Sequence, residues 1–136
     1  MKFLKKYEAF DFKNEGMLIS HEEIEECFEE LKDDDWIIRI NYDSKFVDPK
    51  VDNQQGRISM SFVPFLQIRI LKFMKSSEVF QQLMDSNEYK EAIARLKDRL
   101  EEYDHFIKTE HMERITGGGY QINILIYRKT DENLIK

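Results

Sequence analysis

Two stretches of the chain share one outline, in which an amphipathic helix ends in charged residues and leads into alternating large apolar residues. The first helix is predicted over Ser20–Asp35 and leads into a strand over Trp36–Tyr42. The second is predicted over Ser76–Lys108 and is followed by a strand over Tyr120–Arg128. Both periods within 136 residues predict a single α+β domain, 1–136, with helices packed on one face of a sheet.

Local signals set the ends of these helices. Ser20 and Glu23 have the spacing of a capping box, which opens the first helix. Its buried stripe is predicted from residues at helical spacing, namely Ile24, Cys27, Phe28 and Leu31. We expect this helix to stop at Leu31 or Lys32, which leaves the following aspartates in a turn. The second helical region is predicted to bend at 85–87, where Asp, Ser and Asn prefer caps and turns.

Four strands are predicted from alternating residues, at 36–42, 57–62 with a continuation at 66–70, 111–115 and 120–128. Residues 43–56 are mostly polar and are predicted to form a long loop, and Ile58, Met60 and Phe62 are predicted to point inward. Pro64 is expected to break, bulge or mark an edge of its strand. The resulting αββαββ order predicts two long helices on a mainly antiparallel four-stranded sheet, a ferredoxin-like or split βαβ-type sandwich.

The two ends of the chain are predicted to differ from this body. Residues 1–16 form a basic amphipathic segment, and residues 130–136 form a flexible tail. The apolar runs are too short to cross a bilayer and the N-terminus lacks a secretory signal, so we expect no membrane partner and a cytoplasmic protein. Cys27 is the single cysteine, which excludes an intramolecular disulfide.

The sequence predicts no enzyme and no cofactor. His21, His105 and His111 lack the spacing of a helical metal site, and Cys27 supplies no second thiol. Gly117–Gly119 leads into a strand rather than into a helix, which favours a hairpin turn over a phosphate cradle. We therefore predict no catalytic, cofactor-binding or metal-binding residue.

The charge is unevenly distributed. Residues 21–35 hold nine acids and one lysine, a local charge of −8, so the other residues sum to +2 when this is taken from the net −6. Such a ridge repels nucleic acid and anionic membranes and attracts a basic protein partner. The predicted partner-binding acids are Glu22, Glu26, Glu30 and Asp34. The alternative is a solvated helix face without a partner.

The sheet face opposite the helices is the second predicted interaction surface. It combines apolar, amide and arginine groups, which are Ile37, Arg39, Asn41, Gln67, Arg69, Leu71, Asn123, Leu125 and Tyr127. This mixture is typical of a protein interface, including a homodimer of two stacked sheets, and Arg39, Arg69 and Tyr127 are its predicted binding residues. The alternative is weak binding of single-stranded nucleic acid, which would use Tyr127 and Phe73 for stacking.

The first ten residues, MKFLKKYEAF, contain the pattern M-K-x-L-K-x-[FY]-E-x-F. The matching positions are Lys2, Leu4, Lys5, Tyr7, Glu8 and Phe10. This segment resembles the start of many small, mostly uncharacterised proteins of large tailed bacteriophages. The resemblance implies a virion-associated or early infection-stage protein, located in the host cytoplasm or in the virion, and it transfers no functional site.

Overall fold

The computed structural model describes residues 16–52, 57–73 and 75–135, and of residues 48–52 and 57–61 it describes the backbone only. Residues 1–15 of the basic amphipathic segment predicted over 1–16 lie outside these described parts, as do the predicted orientations of Ile58 and Met60. The described elements are α1 His21–Cys27, α2 Glu29–Asp33, β1 Ile37–Asp52, β2 Arg57–Leu71, α3 Ser77–Asp85, α4 Asn87–Glu102, β3 His105–Arg114, β4 Tyr120–Arg128 and a 3-10 helix, Lys129–Leu134.

The predicted α+β class and the four-stranded antiparallel sheet are confirmed. The strand order is β1-β2-β4-β3, and each neighbouring pair is antiparallel. One cluster of buried residues joins the four described α-helices to alternate residues of the central strands, among them Leu66, Ile68, Ile70, Ile122, Ile124 and Ile126. Each such buried side chain contributes roughly 1.5–3 kcal/mol relative to exposure, so this layer provides most of the driving force for folding.

The first predicted long helix is divided in two. Its capping box is present, because Ser20 Oγ accepts from the Glu23 N–H and Glu23 Oε2 accepts from the Ser20 N–H. Phe28 leaves helical geometry, with φ −110° and ψ 15°, and separates α1 from α2. The predicted stripe of Ile24, Cys27, Phe28 and Leu31 is buried. The helix extends to Asp33, one residue beyond the predicted end, and Asp35 closes the turn with φ 67°.

The second predicted long helix is also divided, at the predicted bend. Ser86 ends α3 and caps α4, because its hydroxyl donates to the Leu83 carbonyl and accepts from the Tyr89 N–H. The prediction that this helix continues to Lys108 was wrong. Asp104 adopts φ 57° after Glu102, and β3 begins at His105 instead of His111. Pairing of β3 with β4 outweighs the helical spacing of the residues before Lys108.

The predicted loop at 43–56 was wrong for residues 43–52, because β1 continues to Asp52 opposite β2. β4 pairs with β2 only over Phe65–Leu71, so the outer parts of β1 and β2 form a two-stranded ribbon beyond the sheet. Phe62 lies on this ribbon against Phe46 and is 67% exposed, which corrects its predicted inward position. Pro64 is tolerated in β2 because β4 does not reach it, which agrees with its predicted role as an edge residue.

The C-terminal segment forms a turn of 3-10 helix where the sequence predicts a flexible tail. Asp131 is buried and accepts from Arg128 Nε at 2.7 Å. The Lys129 N–H donates to the Asp104 carbonyl at 2.8 Å. These contacts attach the start of the segment to the end of β4 and to the turn before β3.

Candidate binding site

A cleft of about 760 Å³ opens at one end of the sheet. Its walls are the start of β1, the end of β2 with the following loop, and the glycine turn between β3 and β4. The residues that line it are Ile37, Arg39, Leu71, Lys72, Phe73, Lys75, Ser76, Ile115, Gly117, Gly118, Gly119 and Tyr120. We refer to this site as the basic cleft.

The charged side chains among the described lining residues are all cations, namely Arg39, Lys72 and Lys75. Arg39 and Lys75 are exposed. Lys72 is held in place, because its Nζ donates to the Asp34 carbonyl at 3.0 Å and lies 4.8 Å from the centre of the Trp36 ring. Three cations on one concave surface attract an anionic ligand, and the low-dielectric walls strengthen that attraction.

The cleft also carries an exposed apolar patch. Phe73 is 81% exposed and Ile37 is 44% exposed, and half-buried Leu71 lies beside them in the lining. An exposed phenylalanine side chain would gain free energy if a bound partner buried it, which is why aromatic side chains are effective anchors in interfaces. This patch therefore fits a ligand that brings its own apolar group.

The glycine turn keeps the cleft open on one side. Gly117, Gly118 and Gly119 have φ between 97° and 102°, and no described atom lies within 4 Å of a Cβ built on any of them. The Gly118 N–H donates to the Ile115 carbonyl, and the Ile115 N–H donates to the Gly119 carbonyl. The predicted hairpin turn is thus present, and its backbone can be approached closely by a ligand.

The structure brings the residues predicted for the open sheet face together on one face, because Arg39 of β1 pairs with Arg69 of β2, and Arg69 pairs with Asn123 of β4. Arg39 lines the basic cleft, and Arg69 lies directly opposite it on β2. Among the described residues, Arg69 Nε is buried without a hydrogen-bond partner. Tyr127 is only 5% exposed and packs against Phe65, with ring centres 5.8 Å apart, and burial raises its pKa. Tyr127 is therefore not accessible for stacking with a ligand.

The interior of that face is also occupied by polar contacts of the chain itself. Gln67 Nε2 donates to Asn123 Oδ1 at 2.9 Å, and Gln121 Nε2 donates to Glu113 Oε1. Gln121 and Asn123 are buried. The accessible part of the face lies toward β1, where Ile37, Arg39 and Asn41 are exposed.

The four predicted acids of the first helical region, Glu22, Glu26, Glu30 and Asp34, are all exposed. Other acids of the same region have partners within the chain. Glu25 lies 3.4 Å from His21 and 3.8 Å from Lys32, and the Tyr103 hydroxyl donates to Glu23. Glu26 itself lies 3.6 Å from Arg99 of α4. The acidic surface is thus partly neutralised by the protein.

Among the described residues, the two groups best suited to nucleophilic or acid–base chemistry, Cys27 and His105, are both buried. Cys27 Sγ is 3.3 Å from the Glu23 carbonyl, and burial raises the pKa of its thiol, which disfavours the thiolate. His105 is buried, and burial lowers its pKa. Within the described residues, no group of three or more His, Cys, Asp and Glu side chains could hold a metal ion.

None of the described helices has the length and apolar character needed to cross a bilayer.

Sequence reasoning missed the basic cleft as a unit. It considered Arg39 and Phe73 separately and assigned no role to Lys72 or Lys75. The available signal was the segment Lys72–Lys75, in which two lysines flank an aromatic residue between a strand and a helix. Only the strand order shows that this loop faces the start of β1 and the glycine turn.

The chain matches no protein-family model, no curated protein and no solved structure.

Proposed function

We propose that this protein is a non-enzymatic interaction module whose basic cleft binds an acidic segment of a partner protein. The observation that carries the proposal is Phe73, which is 81% exposed among three cations. A partner segment with one apolar side chain flanked by carboxylates would cover Phe73 and Ile37 and would pair with Arg39 and Lys75. Aromatic and arginine anchors of this kind dominate the binding energy of many interfaces.

The charges around the cleft favour a short acidic segment over a long polyanion. Lys72 contacts the Asp34 carbonyl, so the aspartates of residues 33–35 lie next to the cleft. A single-stranded nucleic acid carries a charge at every nucleotide, and its backbone would run past these aspartates. A short peptide can place its carboxylates opposite the lysines without extending to the aspartates. The described lining contains two aromatic residues, Phe73 and half-buried Tyr120, which is fewer than stacking platforms commonly use.

Weak binding of single-stranded nucleic acid is the second candidate function. Arg39 and Arg69 lie side by side on β1 and β2, next to a cleft with an exposed phenylalanine. This arrangement could hold two consecutive phosphates with one stacked base. In that case, Arg39→Ala and Arg69→Ala would both weaken binding of oligothymidylate and would reduce its salt dependence.

Fluorescence anisotropy with two labelled probes tests both candidates. The first probe is a short peptide of Asp and Glu around one central Trp, and the second is oligothymidylate of equal charge. We expect the peptide to bind. Lys75→Glu should weaken this binding at least about tenfold, which is a change of about 1.4 kcal/mol in binding free energy. Tighter binding of oligothymidylate than of the peptide would favour the second candidate.

Two further variants separate the cleft from the net charge. Phe73→Ser removes the apolar anchor without changing the net charge. We expect it to weaken binding of the peptide as much as Lys75→Glu does. Lys97→Glu makes the same charge reversal at an exposed position of α4 outside the cleft, and should change affinity less than about twofold. Equal effects of Lys97→Glu and Lys75→Glu would show that binding is non-specific, and the proposal would fail.

The other expectations from the sequence are part of this proposal. The exposed acids Glu22, Glu26, Glu30 and Asp34 are a second docking surface, for a basic partner protein. The resemblance of Met1–Phe10 to bacteriophage proteins supports a phage or host protein as partner, in the host cytoplasm or in the virion.

The strand order supports a rearranged ferredoxin-like sheet, because moving β4 to the front of the chain would give the βαββαβ order with the same neighbours.

A further inference from the structure

The two edges of the sheet differ in how they are protected. β3 carries a register shift between Ile107 and Thr109, and its Glu110 accepts a hydrogen bond from the hydroxyl of Tyr89 on α4. Bulges and inward-pointing charges are features that prevent an edge strand from pairing with another chain. β1 has its own register shift only beyond Val47; it pairs with β2 in continuous register from Ile37 to Val47, and no described strand pairs with its outer edge.

The side chains of β1 divide into two sets along this open edge. Ile38, Ile40 and Tyr42 lie on the helix side and are only half-buried, although they pack against the core. Arg39, Asn41, Asp43 and Lys45 alternate with them and are exposed. No described strand pairs with the backbone of this edge, which lies beside an incompletely covered apolar strip, and the Ser44 N–H donates to Asp43 Oδ1 at 2.8 Å.

Arg39 lies opposite a like charge within its own sheet. Its cross-strand neighbour on β2 is Arg69, whereas the neighbour of Asp43 is Phe65. Like charges directly opposite each other destabilise a strand pair, and opposite charges stabilise it. A carboxylate beside Arg39 on its free side would compensate for Arg69.

We propose that a second copy of this chain pairs with β1 edge to edge and antiparallel, with Asn41 facing Asn41 at the two-fold axis. In this register, Arg39 of each copy lies opposite Asp43 of the other. On the helix side, Ile40 of each copy lies opposite Tyr42 of the other, a β-branched and aromatic pair that stabilises antiparallel sheets. The symmetry produces each favourable pair twice, as in other isologous dimers. The product is a continuous eight-stranded sheet.

Neighbouring registers are less favourable. A shift of two residues in one direction places Arg39 opposite Lys45, and a shift in the other direction places it opposite Asn41. A shift of one residue would bring the apolar face of one copy beside the charged face of the other. The charges of β1 thus select the register with Asn41 at the axis.

This dimer and the function of the basic cleft can fail separately. Arg39 belongs to both, but the cleft is tested above with Lys75 and Phe73, which the dimer does not use. If the chain without substitutions binds the peptide but stays a monomer, only the dimer is overturned. The reverse result would overturn only the proposed ligand.

Sedimentation equilibrium of the full chain tests the dimer through a charge exchange. We expect a mass of twice 16.5 kDa at high concentration. Arg39→Asp and Asp43→Arg should each raise the dimer dissociation constant at least about tenfold, and the double variant should return it to within about threefold of the original. Arg114→Asp, at an exposed position of β3, is the matched control and should have no effect. A single-chain mass throughout, or a double variant as weak as the single ones, would overturn the proposal.

Cross-linking provides a second measurement that fixes the register. Residues directly opposite in an antiparallel pair have Cα atoms about 4.5–5.5 Å apart, within the range of a disulfide. Asn41→Cys should therefore form a covalent dimer under oxidised glutathione. Ile37→Cys should not, because Ile37 would face Lys45 of the second copy. Native Cys27 is buried and does not compete. Equal cross-linking of the two variants, or none with Asn41→Cys, would contradict this register.

Discussion

The backbone N–H of Leu18 donates a hydrogen bond to Nε2 of His105 at 3.0 Å, across 87 residues of sequence. Nε2 must therefore be unprotonated in the folded protein, which fixes the neutral ring as the species present. His105 is buried, and this burial lowers its pKa. The contact attaches the segment before α1 to the start of β3, so protonation of this ring opposes folding.

We predict that stability falls as the pH drops below the ordinary histidine pKa of about 6.5. The unfolded chain binds a proton at that pH while the folded chain does not, so the free energy of unfolding decreases by up to about 1.4 kcal/mol per pH unit until the lowered pKa of His105 is reached. Urea unfolding at pH 7.5 and pH 5.5 measures the difference. His105→Gln should reduce this difference, because glutamine does not titrate.

A second prediction concerns the contact between α4 and β3. The Tyr89 hydroxyl donates to Glu110 Oε2, and Tyr89 is buried with its pKa raised mainly by desolvation and further by this bond. Tyr89→Phe leaves a half-buried carboxylate without this donor, so we expect it to lower the free energy of unfolding by about 1–3 kcal/mol in urea titrations. Tyr89→Phe combined with Glu110→Met removes both polar groups and should recover most of that loss. No recovery would show that the hydroxyl acts through packing instead.

The parts of the fold that sequence predicted correctly are those fixed by local chemistry. Ser20 and Glu23 form the capping box, and the Ser86 hydroxyl makes hydrogen bonds to both α3 and α4 at the predicted bend. The alternation of Tyr120–Arg128 has one register that buries its three isoleucines beneath the helices. In each case, the residues that form the signal also make the contact.

The errors occurred where distant partners determine the structure. Residues 43–52 are mostly polar and carry no strong strand signal of their own, and only their pairing with β2 makes them a strand. His105–Lys108 continue a helical spacing, yet β4 provides a strand partner for them. The basic cleft requires the strand order, because Arg39 and Lys75 come from elements that are far apart in sequence.

A third prediction concerns Gly16, where the described chain begins beside the sheet. Gly16 has φ 96°, and a Cβ built on it would lie 3.3 Å from Pro64 Cγ and 3.6 Å from Arg128 Nη1. Gly16→Ala should therefore lower the free energy of unfolding by more than the roughly 1–2 kcal/mol that a left-handed conformation costs an L-residue. Gly118→Ala is the control, with φ 102° and nothing described within 4 Å. Equal losses in urea titrations would show that Pro64 makes room for the methyl group.

The exposed acids of α1 and α2 provide the last prediction. Glu26 of α1 and Glu30 of α2 are both exposed, and the ion pair of Glu26 with Arg99 is exposed to solvent. Glu26→Lys with Glu30→Lys should weaken binding of a labelled lysine-rich peptide at least about tenfold at low salt, while the free energy of unfolding changes by less than about 1 kcal/mol. Glu88→Lys with Glu91→Lys makes the same charge change on exposed positions of α4. If both double variants weaken binding of the peptide equally, net charge alone governs binding, and the exposed acids of α1 and α2 are not a docking surface.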